Sequence, residues 1–193
     1  MPTTDVIRKL TPALLLTLGL PLAGAADLTQ NKHHPSYPVS QTLIDKVFAK
    51  NKIWSSIDYA RNSGWKDLTT CVTGPEKGAM GIHLFMKSRL MNGTVDPDEP
   101  EVLIYEPLGK NLYGKEEFRL VGVEFVIPAA LWQPTPEAAT PSVDGNQMHY
   151  IPGPNRYGPD ALYELHVWAF QRNPLGAYTD WNTLVSCEKQ PAD

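Results

Sequence analysis

Three short runs share an unusual pattern that restricts what this chain can fold into: "MGIHLFM" (80–86), "VGVEFVI" (121–127) and "YELHVWAF" (163–170). A strand sends alternate side chains to opposite faces. In each run one face is uniformly apolar: Met80, Ile82, Leu84 and Met86; then Val121, Val123, Phe125 and Ile127; then Tyr163, Leu165, Val167 and Ala169. The opposite faces carry Gly81, His83 and Phe85; Gly122, Glu124 and Val126; and Leu162, Glu164, His166, Trp168 and Phe170. A sheet open to water on one side alternates apolar residues with Lys, Thr, Ser and Gln. These second faces do not, so both faces of the sheet are expected to be covered. No Lys or Arg stands on the second face of these strands to pair with the titratable groups.

A fourth run, "EVLIYEP" (101–107), completes a set of strands separated by Gly, Pro, Asn and Asp turn signals. The 102–106 and 119–127 runs, joined by a short Gly-containing connection, predict an antiparallel hairpin. Upstream, Leu43, Ile44, Val47 and Phe48 repeat at helical spacing behind Ser40, a candidate N-cap. The pattern continues through Ile53, Trp54, Ile57 and Ala60 until Gly64, which predicts one bent helix or two short ones. Residues 133–160 are rich in proline and predict a long loop, and the segment after 170 is irregular. The expected fold is α+β: an N-terminal helix on a mainly antiparallel, curved, barrel- or sandwich-like sheet, with an irregular C-terminal segment.

The ends of the chain point to a compartment. Arg8 and Lys9 precede the apolar run 11–24, which closes in Ala23-Gly24-Ala25, a small-x-small cleavage signal. Residues 1–25 therefore read as a signal peptide, 26–40 as a mobile polar leader, and 41–193 as a single globular domain. His33 and His34 fall in the leader and read as solvated. Export to the periplasm or beyond makes a disulfide between Cys71 and Cys187 the natural state of the only two cysteines. The formal charge of −4, more negative still without Arg8 and Lys9, leaves no basic surface for nucleic acid. No second apolar stretch is long enough for a membrane span.

A carboxylate in an apolar layer must be paired, neutralised or bound to a metal. Two imidazoles with one or two carboxylates suit a divalent transition metal, copper or zinc first. The candidate ligands are His83 and His166, with Glu124 and Glu164; His149, in the Pro-rich loop, is a further candidate to close over them. The same residues admit two other readings. One is a metal-free pocket for a small apolar or aromatic ligand, lined by Phe85, Tyr105, Glu106, Trp168 and Phe170, with the His/Glu groups doing acid–base work. The other is a structural or interaction module, with His166 hydrogen-bonded to Glu124 or Glu164 in a closed network. No nucleophile elbow, phosphate loop or dinucleotide fingerprint is present, so no nucleotide cofactor is expected. The acidic "DPDEPE" (96–101) lacks the EF-hand spacing and reads as a solvated turn.

The motifs "GAMGIHL", "DPDEPEVLIYEP", "LVGVEFVIP" and "YELHVWAFQRNPLGAYTDWN", in this order over about residues 54–187, resemble a family of small exported bacterial proteins of uncharacterised activity. The resemblance implies export and a single domain, and brings with it no substrate or catalytic residue.

Overall fold

The computed structural model describes residues 42–74, 76–134 and 139–190. The expected signal peptide and leader, and the expected cap Ser40, lie outside these. The first helix, α1 (Leu43–Asn51), starts instead at Thr42, whose extended backbone and side-chain oxygen make it the N-cap: Asp45 N–H donates to Thr42 Oγ1 at 3.2 Å. A 3₁₀ turn (Lys52–Ser55) follows. Ser56 then caps α2 (Ile57–Asn62) by accepting from Tyr59 N–H at 3.3 Å. Of the two expected forms the chain takes two short helices, because Ser56 offers a second N-terminus before the apolar repeat ends. Leu43, Val47, Ile57 and Ala60 are buried against the sheet.

The sheet is built from β1 (Lys66–Asp67), β2 (Val72–Gly74), β3 (Gly78–Phe85), β4 (Val102–Lys110), β5 (Glu116–Pro128), β8 (His149–Ile151) and β9 (Leu162–Val167). All pairings are antiparallel. The order is β1-β3-β4-β5-β9-β8, with β2 also on β3, and the ends do not close into a barrel. A short helix, α3 (Lys87–Leu90), follows β3, and a two-stranded hairpin, β6 (Ser142–Val143) with β7 (Asn146–Gln147), precedes β8. Its two-residue turn, Asp144-Gly145, has positive φ at both positions (51° and 84°), the Asp-Gly conformation that matches strand twist. The Pro-rich stretch is therefore not one loop. It contains a hairpin and a strand that joins the main sheet, both too short to show a period in the sequence.

One sheet face packs on the helices through Ile82, Leu84, Leu103, Tyr105, Val123, Phe125, Ile127, Leu165 and Val167. The other is covered by the chain after β9 and by the β8–β9 connection, with Ala79, Val102, Ile104, Val121, Val126, Leu162, Trp168 and Val185 as its apolar part. Both faces are covered, as the alternation requires. Val121 departs from the simple alternation. Ile104 pairs with Gly122 but Tyr105 with Leu120, so Val121 is the extra residue of a β-bulge. It turns to the second face, and its place on the helix side is taken by Leu120.

Cys71 and Cys187 form a disulfide, tying the strand before β3 to the C-terminal segment across 116 residues. No helix among the described residues is long and apolar enough to cross a membrane.

Candidate metal centre

The second face brings His83, Glu124, Glu164 and His166 together from β3, β5 and β9. Glu124 lies opposite His166 in the β5–β9 register, and Glu164 is two residues before His166 on the same strand face. β4 runs between β3 and β5 and places Val102 and Ile104 on this face, so His83 reaches over it towards Glu124. His83 Nε2 lies 3.7 Å from Glu124 Oε2, and the two imidazole rings are 6.1 Å apart, nearly perpendicular. His83, Glu124 and His166 each place one ligand atom within 4.8 Å of the others, close enough for a single metal ion. All three are 0 % exposed.

Thr69, in the loop after β1, accepts the His83 backbone N–H, and its Oγ1 also lies 3.0 Å from His83 Nδ1, in hydrogen-bond contact. His166 makes no hydrogen bond through either ring nitrogen, and His83 makes none through Nε2. Burial, aided by the nearby Arg156 charge, pushes the His83 pKa down to about 3. Burial, then His83 and Arg156, holds His166 well below the usual imidazole range. Both rings are therefore neutral at physiological pH, and the His83–Glu124 approach is not an ion pair.

The carboxylates are partnered from an unexpected direction. The turn Asn155–Gly158 is held by Asn155, whose side chain accepts from Tyr157 N–H and donates to Asp160 O at 2.8 Å. It lays Arg156 and Tyr157 over the site. Arg156 Nη2 donates to Glu124 Oε1 at 2.9 Å and to Glu164 Oε2 at 2.5 Å, and Tyr157 Oη donates to Glu124 Oε2. The strands hold no cationic partner, as their sequence shows; the loop supplies it. Even so, burial and the facing Glu164 hold the Glu124 pKa well above the usual carboxylate range, against the pull of Arg156 and Tyr157. Glu164 is likewise raised by burial. Its Oε1 has no hydrogen-bond partner.

The remaining candidates are dispersed. Trp168 stacks on His166, with centroids 6.0 Å apart and planes at 19°, and donates its indole N–H to Thr179 O. Phe85 is partly buried on the same face. Tyr105 faces the helices and donates to Trp54 O, and Phe170 packs on Phe48 of α1, because β9 ends at Val167 and the chain turns. Glu106 pairs with Arg119 and accepts from Ser186 N–H. An apolar cavity of about 240 Å³ does exist, bordered by Leu90, Met91, Val102, Val126, Tyr157 and Leu162 among others, and none of those five residues borders it. His149 pairs with Glu164 across β8–β9, at the rim of the site. Glu101, read as part of a solvated turn, is 1 % exposed and accepts from Val126 N–H.

Arg156, Tyr157, Thr69 and Asp180 belong to the site without a periodic signal to reveal them. The one local cue was an Arg-Tyr pair flanked by turn residues in "GPNRYG".

Comparison with family models, with curated proteins and with solved structures returns no match for this chain.

Proposed function

We propose that this is an exported protein that binds a divalent transition metal, copper or zinc, through His83, His166 and Glu124. One observation carries the reading: two buried imidazoles converge on a carboxylate, and three of their four nitrogens lack a hydrogen-bond partner. A structural network would use those nitrogens, since each buried polar atom left unmade costs about 1–3 kcal/mol. A metal uses one bare nitrogen of each ring as a lone-pair donor. The neutral form that burial enforces is also the form that ligates.

With its proton on Nδ1, facing Thr69, His83 presents a bare Nε2, the usual arrangement of a ligating histidine. Each Glu124 oxygen accepts one hydrogen bond and keeps a lone pair for an ion. The separation of 3.7 Å between His83 Nε2 and Glu124 Oε2 is near the roughly 3.3 Å edge of a tetrahedron with bonds of about 2.0–2.1 Å. Arg156 offsets part of the negative charge and sets the carboxylate orientations. Export is supported by the 1–25 targeting pattern, by the disulfide, and by the resemblance to small exported bacterial proteins.

The test is elemental analysis of protein purified from an oxidising compartment, beside His83→Ala and His166→Ala. Stoichiometric copper or zinc in the wild type, lower by at least one ion per chain in each variant, is the expected result. A wild-type protein that carries neither, and shows no thermal shift with added Cu²⁺ or Zn²⁺, would sink the proposal.

A further inference from the structure

We infer that a second divalent-cation site adjoins the first, built from His149, Glu164, His166 and Asp180, with His166 shared between the two. The inference rests on the metal-binding reading and extends it from one ion to two. Glu164, His166 and Asp180 form their own group with ligand atoms within 4.8 Å of one another. Asp180 Oδ1 lies 3.7 Å from His166 Nδ1 and also 3.7 Å from His149 Nδ1. That is too long for hydrogen bonds, and close to the spacing of two ligands on one ion.

The facing atoms are left over from other interactions. Glu164 uses Oε2 for Arg156, while its Oε1 is buried and unpartnered; His166 Nδ1 and Asp180 Oδ1 are buried and unpartnered as well. The Glu164 side chain is fully buried, and it shares with Asp180 a group whose ligand atoms lie within 4.8 Å of one another. Two imidazoles and two carboxylates make an N₂O₂ set, which suits zinc or copper better than calcium or magnesium.

The fourth ligand and the access route come from β8, whose His149 is half-exposed opposite Glu164. Asp180 is held in place from both sides. Trp168 donates to Thr179 O, and the buried Asn173 side chain donates to Thr179 Oγ1 and to Trp181 O. The Trp168 indole that stacks on His166 thus also anchors the backbone that presents Asp180. Since one ring nitrogen holds one ion, filling both sites has His166 bridge through Nδ1 and Nε2. Its remaining N–H proton passes to solvent as the second ion binds.

The experiment is calorimetric titration of the full, metal-stripped chain with Zn²⁺, with bound zinc counted by elemental analysis. Two ions per wild-type chain are expected, and one in Asp180→Asn, whose affinity for the other falls by about 100-fold or more. His149→Ala, at a half-exposed position, weakens the same ion by at least about 10-fold. His83→Ala keeps one ion, and circular dichroism melting should leave Asp180→Asn and His149→Ala folded as wild type. A single ion indifferent to both outer substitutions overturns the second site and leaves the inner reading standing. A single ion lost in Asp180→Asn but kept in His83→Ala confirms the outer site and overturns the inner one, and with it the shared histidine. No binding at all overturns both.

Discussion

At the scale of single residues, the buried carboxylates of this protein are each held by at least one specific donor. Removing one partner of a buried ion pair is costly because the other is left uncompensated. Arg156 bridges two carboxylates that are otherwise inaccessible to water. Glu101 is held differently. It accepts only a backbone N–H in the interior, and burial raises its pKa to about 8. An unfolded glutamate titrates near 4.5. Between these values the folded state holds a proton that the unfolded state has released, so stability falls as pH rises from about 4.5 to about 8. Glu101→Gln keeps an acceptor for Val126 and removes the titration. Urea unfolding should show the variant close to wild type at pH 4.5 and more stable by on the order of 2–4 kcal/mol at pH 8. Equal pH slopes in the two proteins would refute this assignment.

At the scale of elements, the site depends on a bulge and a glycine in β5. The bulge at Val121 lets the strand satisfy both faces, and Gly122 leaves room for the chain beyond β9. A Cβ at residue 122 would lie 2.9 Å from Val167 O and 3.3 Å from the Trp168 ring. Because Trp168 stacks on His166 and anchors Thr179, the displacement would be felt at both ligand groups. Gly122→Ala is expected to cost about 1–3 kcal/mol in chemical unfolding, typical of overpacking. It should also weaken zinc binding in the same preparation. Unchanged binding alongside lost stability would mean that Trp168 does not position Asp180.

At the scale of the whole molecule, the second face is closed by segments with little regular structure, so its cover needs tethering. The Cys71–Cys187 disulfide provides it, holding the irregular C-terminal segment against β2 and β3. For a loop of 116 residues the chain-entropy model gives about 4–5 kcal/mol. Reduction, or Cys71→Ser with Cys187→Ser, should lower the unfolding free energy by that order. Retention of full stability would place the cover's anchoring in Asn182, which bridges Ala79, and Val185 instead.

The sequence by itself determined the two-faced sheet, its four longest strands β3, β4, β5 and β9, and the four titratable side chains they turn inward. Alternation over six to thirteen residues is a property of the extended backbone and is printed directly in the residue order. The disulfide was legible because only two cysteines exist. Tertiary structure alone decided what those side chains meet. Arg156, Tyr157 and Asp180 arrive from turns whose positions depend on the Asn155 and Asn173 hydrogen bonds, and no period marks such residues in advance. The bulge that moves Val121 and the turn that sends Phe170 back to α1 are likewise settled by pairing and packing. Local periodicity fixes which way a strand residue points, while the partner it meets is chosen by chain folded back from far away in sequence.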